Sequence, residues 1–210
     1  FVSHPIDPAM RYTGSIKQAT VVAVGRWDDA VKCPDTLVSV ASQVLVRHPT
    51  VQFILVGTQA TRCAAAIAAK IPSAQNRVVG HEYLDHDQLC EKMNSSQISL
   101  CTSHSESFHI PSGEALLCGC TVVGPCSPLL PALDYFVEGG TSGRLAANTP
   151  QDLAEAVLAE LAAWRQGLRV PATLSAVWRE RLAARVVVSR IERLLFDPSE
   201  EGSAVPRSKT

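Results

Sequence analysis

Two cations stand close together after the first apolar run of the chain. Arg26 directly follows the run Thr20–Gly25, and Lys32 lies six residues further on, beside the start of a helical stretch. An arginine can bind two oxygens at once and a lysine supplies a compact charge, so the pair suits a diphosphate near a helix N-terminus. The alternative is pairing with the neighbouring acids Asp28, Asp29 or Asp35. The pattern alone leaves both interpretations open.

Two acids lie eight residues apart further along the chain. Glu106 follows another apolar run, and Glu114 falls in the first turn of the next predicted helix. Both can accept hydrogen bonds from ribose or sugar hydroxyls, whereas the alternatives are a solvated loop acid and compensation of the helix dipole. His109 stands between them and can orient a phosphate or a sugar, although a lone loop histidine is more often solvated or hydrogen-bonded.

Other chemical patterns are weaker. The pair Asp85 and Asp87 could bind a metal, but Asp85 with Gln88 forms a capping box, which favours a structural role. The seven cysteines include no CxxC pair, so we expect reduced and mostly buried side chains and no metal at Cys118–Cys120. The absence of GxSxG, HExxH, GxxxxGK[ST] and GxGxxG weakens serine-hydrolase, zinc-protease, P-loop and dinucleotide-reductase interpretations.

The elements that position these residues alternate along the chain. Apolar, β-branched runs predict strands at Thr20–Gly25, Val51–Gly57, Arg77–Gly80, Gln97–Thr102, Thr121–Gly124 and Gly143–Ala146. Helical spacing predicts helices at Pro34–Val46, Ala60–Lys70, Asp85–Met93, Pro111–Cys118, Pro150–Arg165 and within Ala172–Phe196. This alternation predicts an α/β fold, a Rossmann-like parallel sheet with helices on both faces, followed by C-terminal helices.

Such a sheet binds ligands beyond the carboxyl ends of its strands. The loops that reach this edge are predicted at 26–32, 57–59, 80–84, 103–112 and 124–127. They include both cations, Glu106 and His109. The sequence therefore predicts one crevice that gathers the candidate residues.

Composition excludes several classes of protein. The 210 residues are 46% hydrophobic with a net charge of -1, which argues against a nucleic-acid-wrapping protein and against a wholly disordered chain. No apolar run spans a bilayer, and Phe1–Arg11 lacks the features of a signal peptide. The expected reduced cysteines favour a cytoplasmic location. The arginines of 172–196 suit a solvated helix, with peripheral contact to a cytoplasmic membrane face as the alternative.

Several segments together resemble a known family. They are VAVGRWDDAVK, VQFILVG, RVVGH, SESFHIPSGEALLCGCTVVGP and GGTSGRL, in this order. They resemble the C-terminal, nucleotide-sugar-binding half of GT-B glycosyltransferases of family 4, from about Pro5 to Leu161. The most specific element is the E-x7-E spacing of Glu106 and Glu114 with the following ALLCGCTVVG.

The resemblance implies roles for particular residues. Arg26 and Lys32 are similar to the family's cations on the donor diphosphate, Glu106 to the acid facing the donor sugar, and Glu114 to the acid on the ribose hydroxyls. Glu106, Arg26 and Lys32 are thus the predicted catalytic residues. The predicted donor-binding residues further include Gly25, Gly57, Thr58, Val79, Gly80, Ser107, Phe108, His109, Ile110 and Glu114.

The resemblance also implies a reaction and a partner. The reaction is sugar transfer from a UDP- or GDP-hexose, usually with retention and without an essential metal or other cofactor. Residues 1–170 are the expected donor-binding domain, 171–196 a helical region packing on it or toward an N-terminal acceptor-binding domain, and 197–210 a disordered tail. Since the resemblance covers only the donor half, we expect this chain alone to bind a donor without transferring its sugar.

Three departures from the family pattern affect this interpretation. Arg26 and Lys32 are one residue further apart than is common, and Cys33 stands where glycine usually follows the lysine. Ser107 and His109 add side chains where the family's backbone is often bare glycine. These departures keep an alternative open, a non-catalytic nucleotide-binding or assembly module derived from a glycosyltransferase.

Overall fold

The structure is a computed structural model in which residues 3–196 are described. The strands are β1 (Gln18–Val24), β2 (Gln52–Val56), β3 (Val78–His81), β4 (Ser96–Leu100), β5 (Thr121–Pro125) and β6 (Gly143–Ala146). The helices are α1 (Pro34–Arg47), α2 (Ala60–Lys70), α3 (His86–Ser95), α4 (Ile110–Leu117), α5 (Pro131–Val137), α6 (Pro150–Arg165), α7 (Pro171–Leu182) and α8 (Ala184–Phe196). The predicted tail 197–210 lies outside the described residues.

All six strands pair in parallel, in the order β3-β2-β1-β4-β5-β6. The predicted Rossmann-like sheet is therefore confirmed. The chain order reverses between β1 and β4, and the crevice beyond the carboxyl ends at such a reversal is where open α/β sheets bind ligands. Val22 of β1 pairs with Ile54 on one side and with Ser99 on the other, so β1 is central.

The core forms on both faces of the sheet because successive strand residues alternate. Val21 and Ala23 belong to a cluster with buried residues of α1, α2 and α6. Val22, between them, belongs to a second cluster with buried residues of α4, α5 and α7. Burial on both faces explains why the strands are continuously apolar rather than alternating.

Two helix starts predicted from the sequence are confirmed. The Asp85 carboxylate accepts a hydrogen bond from the Gln88 backbone N–H, and the Gln88 side chain accepts one from the Asp85 N–H. At α6 the Thr149 hydroxyl accepts from the Asp152 N–H at 3.1 Å, with Pro150 at the first helical position. Both caps satisfy backbone donors that a helix leaves free at its N-terminus.

Two features of the helices were not predicted. Helix α5 is a short element whose Leu133 and Phe136 are fully buried. The C-terminal helical region is two helices, because Ala183 adopts an extended backbone between them. The other predicted elements agree with the structure to within two residues at each end, and three of them, α2, α6 and β6, agree at both ends.

Helix α7 packs firmly on the sheet domain through Trp178. Its side chain is buried, its indole N–H donates to the Ser142 hydroxyl at 2.9 Å, and its ring meets Phe136 edge-on at 5.6 Å. Helix α8 is different, since Val187 is its only buried residue among the described ones. Within residues 3–196, no helix is both long and apolar enough to cross a membrane.

Glycine at position 57 lets the loops after β1 and β2 approach each other. Gly57 has a φ of +112°, and a Cβ there would lie 2.0 Å from the carbonyl oxygen of Gly25. No side chain can occupy that space, so both the conformation and the contact require glycine. The approach brings two of the predicted site loops together at the carboxyl edge.

Candidate functional site

Backbone hydrogen bonds join the loops at the carboxyl edge into one surface. The Trp27 N–H donates to the Thr58 carbonyl at 2.9 Å, and the Gly57 N–H to the His81 carbonyl at 2.8 Å. The His104 N–H donates to the Val31 carbonyl at 2.7 Å, across the reversal between β1 and β4. These bonds link the loops after β1, β2, β3 and β4, as the predicted crevice requires.

Strained backbone is concentrated at this edge. Among the described residues 3–196, the non-glycine residues with positive φ are Cys33, Gln59 and His109, at 51°, 62° and 55°. They are the N-caps of α1, α2 and α4. Cys33 and His109 are also the positions where the resemblance noted above would place glycine. Strain of this kind is often found at ligand-binding sites, which supports a functional edge.

The centre of the edge is an ion pair between Lys32 and Glu106. Lys32 comes from the loop after β1 and Glu106 from the loop after β4, so the pair spans the point where the chain order reverses. Each side chain is only 18% exposed. The Ser103 hydroxyl also donates to Glu106 at 2.9 Å, and the Thr102 hydroxyl donates to the Lys32 carbonyl at 2.8 Å.

This setting keeps Glu106 ionised. Burial acts to raise the pKa of its carboxyl, but the hydrogen bonds from Lys32 and Ser103 and the nearby positive charge outweigh burial, so the pKa lies below its usual value. A lowered pKa means that the pair persists as the pH falls through the ordinary titration range of glutamate. It is lost only as the pH falls through that lowered value.

His109 lies beside this pair as a neutral side chain. It is 5% exposed, and its Nδ1 lies 2.7 Å from the Ser112 hydroxyl. Burial lowers the pKa of the imidazole to about 4; Glu106 opposes this shift and Lys32 adds to it. The ring is therefore uncharged at neutral pH and can donate or accept hydrogen bonds without adding charge.

Arg26 occupies the rim rather than the centre. Its side chain is 72% exposed, and its guanidinium donates to the Asp29 carboxylate at 2.9 Å. The pairing with a neighbouring acid that the sequence left open is thus present for Arg26 but not for Lys32. A hydrogen bond from the Val31 N–H, with contributions from Arg26 and Lys32, lowers the pKa of Asp29. Asp29 is therefore within electrostatic reach of both cations.

The predicted position of Glu114 needs a correction. Because α4 begins at Ile110 rather than at residue 111, Glu114 lies in its second turn, and the first turn contains no acid. Compensation of the helix dipole is confined to the first turn, so it does not explain Glu114. Burial raises the pKa of its carboxyl, against the opposing effect of His86 and together with that of Asp7. Burial thus favours the neutral form of the Glu114 carboxyl.

The other predicted donor-binding residues differ in which of their atoms are exposed at the carboxyl edge. Phe108 packs its ring against Phe136 at 5.1 Å and is buried, so only its backbone reaches the edge. Val79 lies within β3 and is 46% exposed. A Cβ at Gly80 would lie 2.6 Å from the Ala60 carbonyl oxygen, so Gly80 faces α2. Thr58, Ser107 and Ile110 are exposed, as Val79 and Arg26 are, while Gly25 is half-buried.

No metal site is evident among the described residues. Within residues 3–196, no group of three or more histidine, cysteine, aspartate or glutamate side chains could hold a metal ion. Asp85, the first acid of the predicted metal-like pair, has its carboxylate occupied by the cap of α3.

Sequence reasoning missed four polar residues at this edge. Ser103 donates a hydrogen bond to Glu106, and Thr102 donates one to the Lys32 carbonyl. Ser112 is hydrogen-bonded to the ring of His109. Glu82 accepts hydrogen bonds from the backbone N–H groups of Gln59 and Thr61, at the start of α2, at 2.7 and 3.0 Å. Their position in the chain was the available signal. Thr102 and Ser103 lie two and three residues after the end of β4, and Glu82 directly follows β3. Serine and threonine are common in loops, so their residue type alone does not mark them as site residues.

The parallel sheet and the enclosed cation at its reversal define a Rossmann-like domain of the kind that makes up GT-B glycosyltransferases. The chain belongs to the group 1 glycosyl transferases, because the model of that family matches residues 18–162. No curated protein matches the chain significantly in sequence.

Solved structures share this fold at low sequence identity. A variant of S. aureus TarM, in complex with fondaparinux, alpha-GlcNAc-glycerol and UDP, superposes with a TM-score of 0.72 and 17% identity over 89% of this chain and 37% of its own. Anabaena HepE, in complex with UDP and glucose, superposes with a TM-score of 0.71 and 20% identity, over 92% of this chain and 56% of its own. The pneumococcal O-GlcNAc transferase GtfA, in complex with UDP and GlcNAc, superposes with a TM-score of 0.69 and 18% identity, over 94% of this chain and 39% of its own. The chain thus spans well under two thirds of each.

Proposed function

We propose that this chain is the donor-binding, C-terminal half of a family 4 GT-B glycosyltransferase. It binds a UDP- or GDP-hexose at the carboxyl edge of its sheet, and the sugar passes to an acceptor with retention of configuration. The acceptor is bound by an N-terminal domain that is separate from residues 3–196. The chain alone binds the donor but does not transfer the sugar.

One observation carries this proposal: the ion pair of Lys32 and Glu106 across the sheet reversal. The pair places a cation and an ionised acid where an α/β sheet binds nucleotides. The cation suits the diphosphate and the acid suits the sugar. Membership of the group 1 glycosyl transferases, and neighbours solved with UDP, support the same ligand.

Charge explains how this site promotes transfer. When the glycosidic bond breaks, negative charge grows on the departing diphosphate. Groups already aimed at that charge stabilise the transition state more than the ground state. Lys32 is held in place by Glu106, and the N-terminus of α4 contributes partial positive charge nearby. Neither contribution depends on a metal ion.

Arg26 tests the position of the diphosphate. We expect Arg26→Ala to weaken binding of UDP or GDP about tenfold, because a charge-assisted hydrogen bond contributes about 1.5–3 kcal/mol and Arg26 is exposed to screening solvent. Binding of uridine or guanosine, which lack phosphate, should stay within twofold. Isothermal titration calorimetry measures both.

Arg47→Ala is the matched control for this experiment. Arg47 is also an exposed arginine paired with an acid, Glu155, but it lies in the last turn of α1, at the opposite end of the helix from Cys33. It should leave every affinity unchanged. Equal losses for nucleotide and nucleoside in Arg26→Ala would refute the phosphate assignment. Failure of the unaltered chain to bind any nucleotide would favour the alternative, an assembly module without a donor.

A further inference from the structure

The imidazole of His109 is enclosed except at one point. The side chain is 5% exposed, and the residue caps α4 in a left-handed conformation. Within residues 3–196, its Nδ1 contacts the Ser112 hydroxyl, whereas no hydrogen bond is formed at Nε2. In the described part of the chain, the fully enclosed side-chain nitrogen and oxygen atoms without a hydrogen-bond partner are the hydroxyls of Ser42 and Ser99. Nε2 lacks a partner but is not one of these atoms, so it is not fully enclosed. Nε2 is therefore the end of the ring that solvent reaches.

The hydrogen bond to Ser112 determines which ring nitrogen carries the proton. Ser112 is fully buried, and His109 Nδ1 is the partner of its hydroxyl among the described residues. If Nδ1 carried the proton, the Ser112 hydroxyl proton would be left buried without an acceptor, which costs about 1–3 kcal/mol. The serine therefore donates to Nδ1, and the proton of the neutral ring resides on Nε2.

A helix N-terminus and a paired cation lie beside that N–H. Of the two charged groups that act on the ring in this part of the chain, Glu106 has the larger effect and Lys32 the smaller, but Glu106 is paired with Lys32, so its charge is partly neutralised. The ring also lies at the N-terminus of α4, where the helix dipole favours negative charge. A neutral N–H can only donate, and the oxygens of a phosphate can only accept. Together these features match a phosphate oxygen better than a sugar hydroxyl, which needs both kinds of partner.

We propose that His109, held in one tautomer by Ser112, donates a hydrogen bond from Nε2 to the diphosphate of the nucleotide sugar. This inference rests on the proposed donor site and goes beyond it, because it makes Ser112 a positioning residue that acts through His109. A side-chain N–H here substitutes for the bare backbone that glycine would expose at this position. The donor is present at neutral pH because the neutral ring, in this tautomer, keeps its proton on Nε2.

The experiment combines nitrogen NMR of the imidazole with affinity measurements. In the unaltered chain, ¹⁵N chemical shifts should show a protonated Nε2 and an unprotonated Nδ1 at pH 7. In Ser112→Ala the pattern should shift toward a mixture of tautomers. His109→Gly, which also relieves the left-handed strain, should weaken UDP or GDP binding about tenfold, and Ser112→Ala about threefold. Binding of uridine or guanosine should change by less than twofold.

His48→Gly is the control, since His48 lies after the last turn of α1 and should leave all affinities unchanged. A protonated Nδ1 in the unaltered chain would overturn the proposal without any variant. So would unchanged or tighter diphosphate binding by His109→Gly. If Arg26→Ala weakens binding while His109→Gly does not, this inference fails and the donor site stands. If no diphosphate binds the unaltered chain, both fail.

Discussion

Replacing Lys32 by alanine should reduce the affinity for UDP or GDP about 100-fold. Lys32 is the enclosed cation of the crevice, with its side chain 18% exposed, so solvent screens it far less than it screens Arg26. A charge-assisted hydrogen bond contributes about 1.5–3 kcal/mol, and about 1.4 kcal/mol is tenfold in affinity. Within residues 3–196, the substitution also leaves Ser103 as the one side-chain donor to the half-buried Glu106 carboxylate, and this unpaired negative charge repels a diphosphate.

Calorimetry of nucleotides and nucleosides measures this effect. Lys70→Ala is the matched control, because Lys70 is an exposed lysine in the last turn of α2, away from the carboxyl edge. It should bind nucleotides as the unaltered chain does. Lys32→Ala binding diphosphates within threefold of the unaltered chain would mean that the lysine serves only to hold Glu106. The diphosphate would then have to be held elsewhere on the edge.

Replacing Arg169 by alanine should lower the free energy of unfolding by about 3–5 kcal/mol, the cost typical of removing one partner from a buried ion pair. Its partner Glu160 is fully buried on α6. The Arg169 guanidinium donates to both carboxylate oxygens at 2.7 and 2.9 Å and to the Thr141 carbonyl at 3.0 Å. Arg144 also donates to Glu160 at 3.0 Å, but it is 44% exposed and cannot replace the lost pairing.

Urea denaturation of three variants separates this effect from general loss of packing. Arg47→Ala removes an exposed pair and should cost less than about 1 kcal/mol. The double variant Arg169→Met with Glu160→Leu removes both buried charges and should recover most of the stability that Arg169→Ala loses. An Arg169→Ala loss below about 1 kcal/mol, or a double variant no more stable than the single one, would contradict the buried-charge explanation.

The sheet was predictable because its signals are local. Continuous apolar strands, turn glycines and the caps at Asp85 and Thr149 each act within a few residues, and the structure confirms them. Helix α5 was not predicted because its seven residues are too few for a periodic apolar pattern to be recognised. The break at Ala183 was not predicted because alanine favours helix. Local sequence therefore gives no signal for it, and tertiary packing must separate α7 from α8.

The site was predictable only as a set of loops. Strand ends located Lys32 and Glu106 on one edge, but 74 residues separate them, and no local signal indicates that they pair with each other. Likewise, His109 was identified as a departure from the family, whereas its contact with Ser112 depends on the left-handed cap of α4. Side-chain partnerships across loops depend on three-dimensional detail that residue types and spacing do not contain.

Titration of the chain with UDP, GDP, ADP and their hexose conjugates, followed through amide chemical shifts, tests most directly whether the carboxyl edge binds a nucleotide sugar. We expect one base family to bind and to shift the amides of 26–32, 57–59, 80–84 and 104–114. The hexose conjugate should add shifts around Glu106. Shifts confined to the cavity of about 480 Å³ that Ile6 and α7 line, or no shifts at millimolar ligand, would contradict a donor site at this edge.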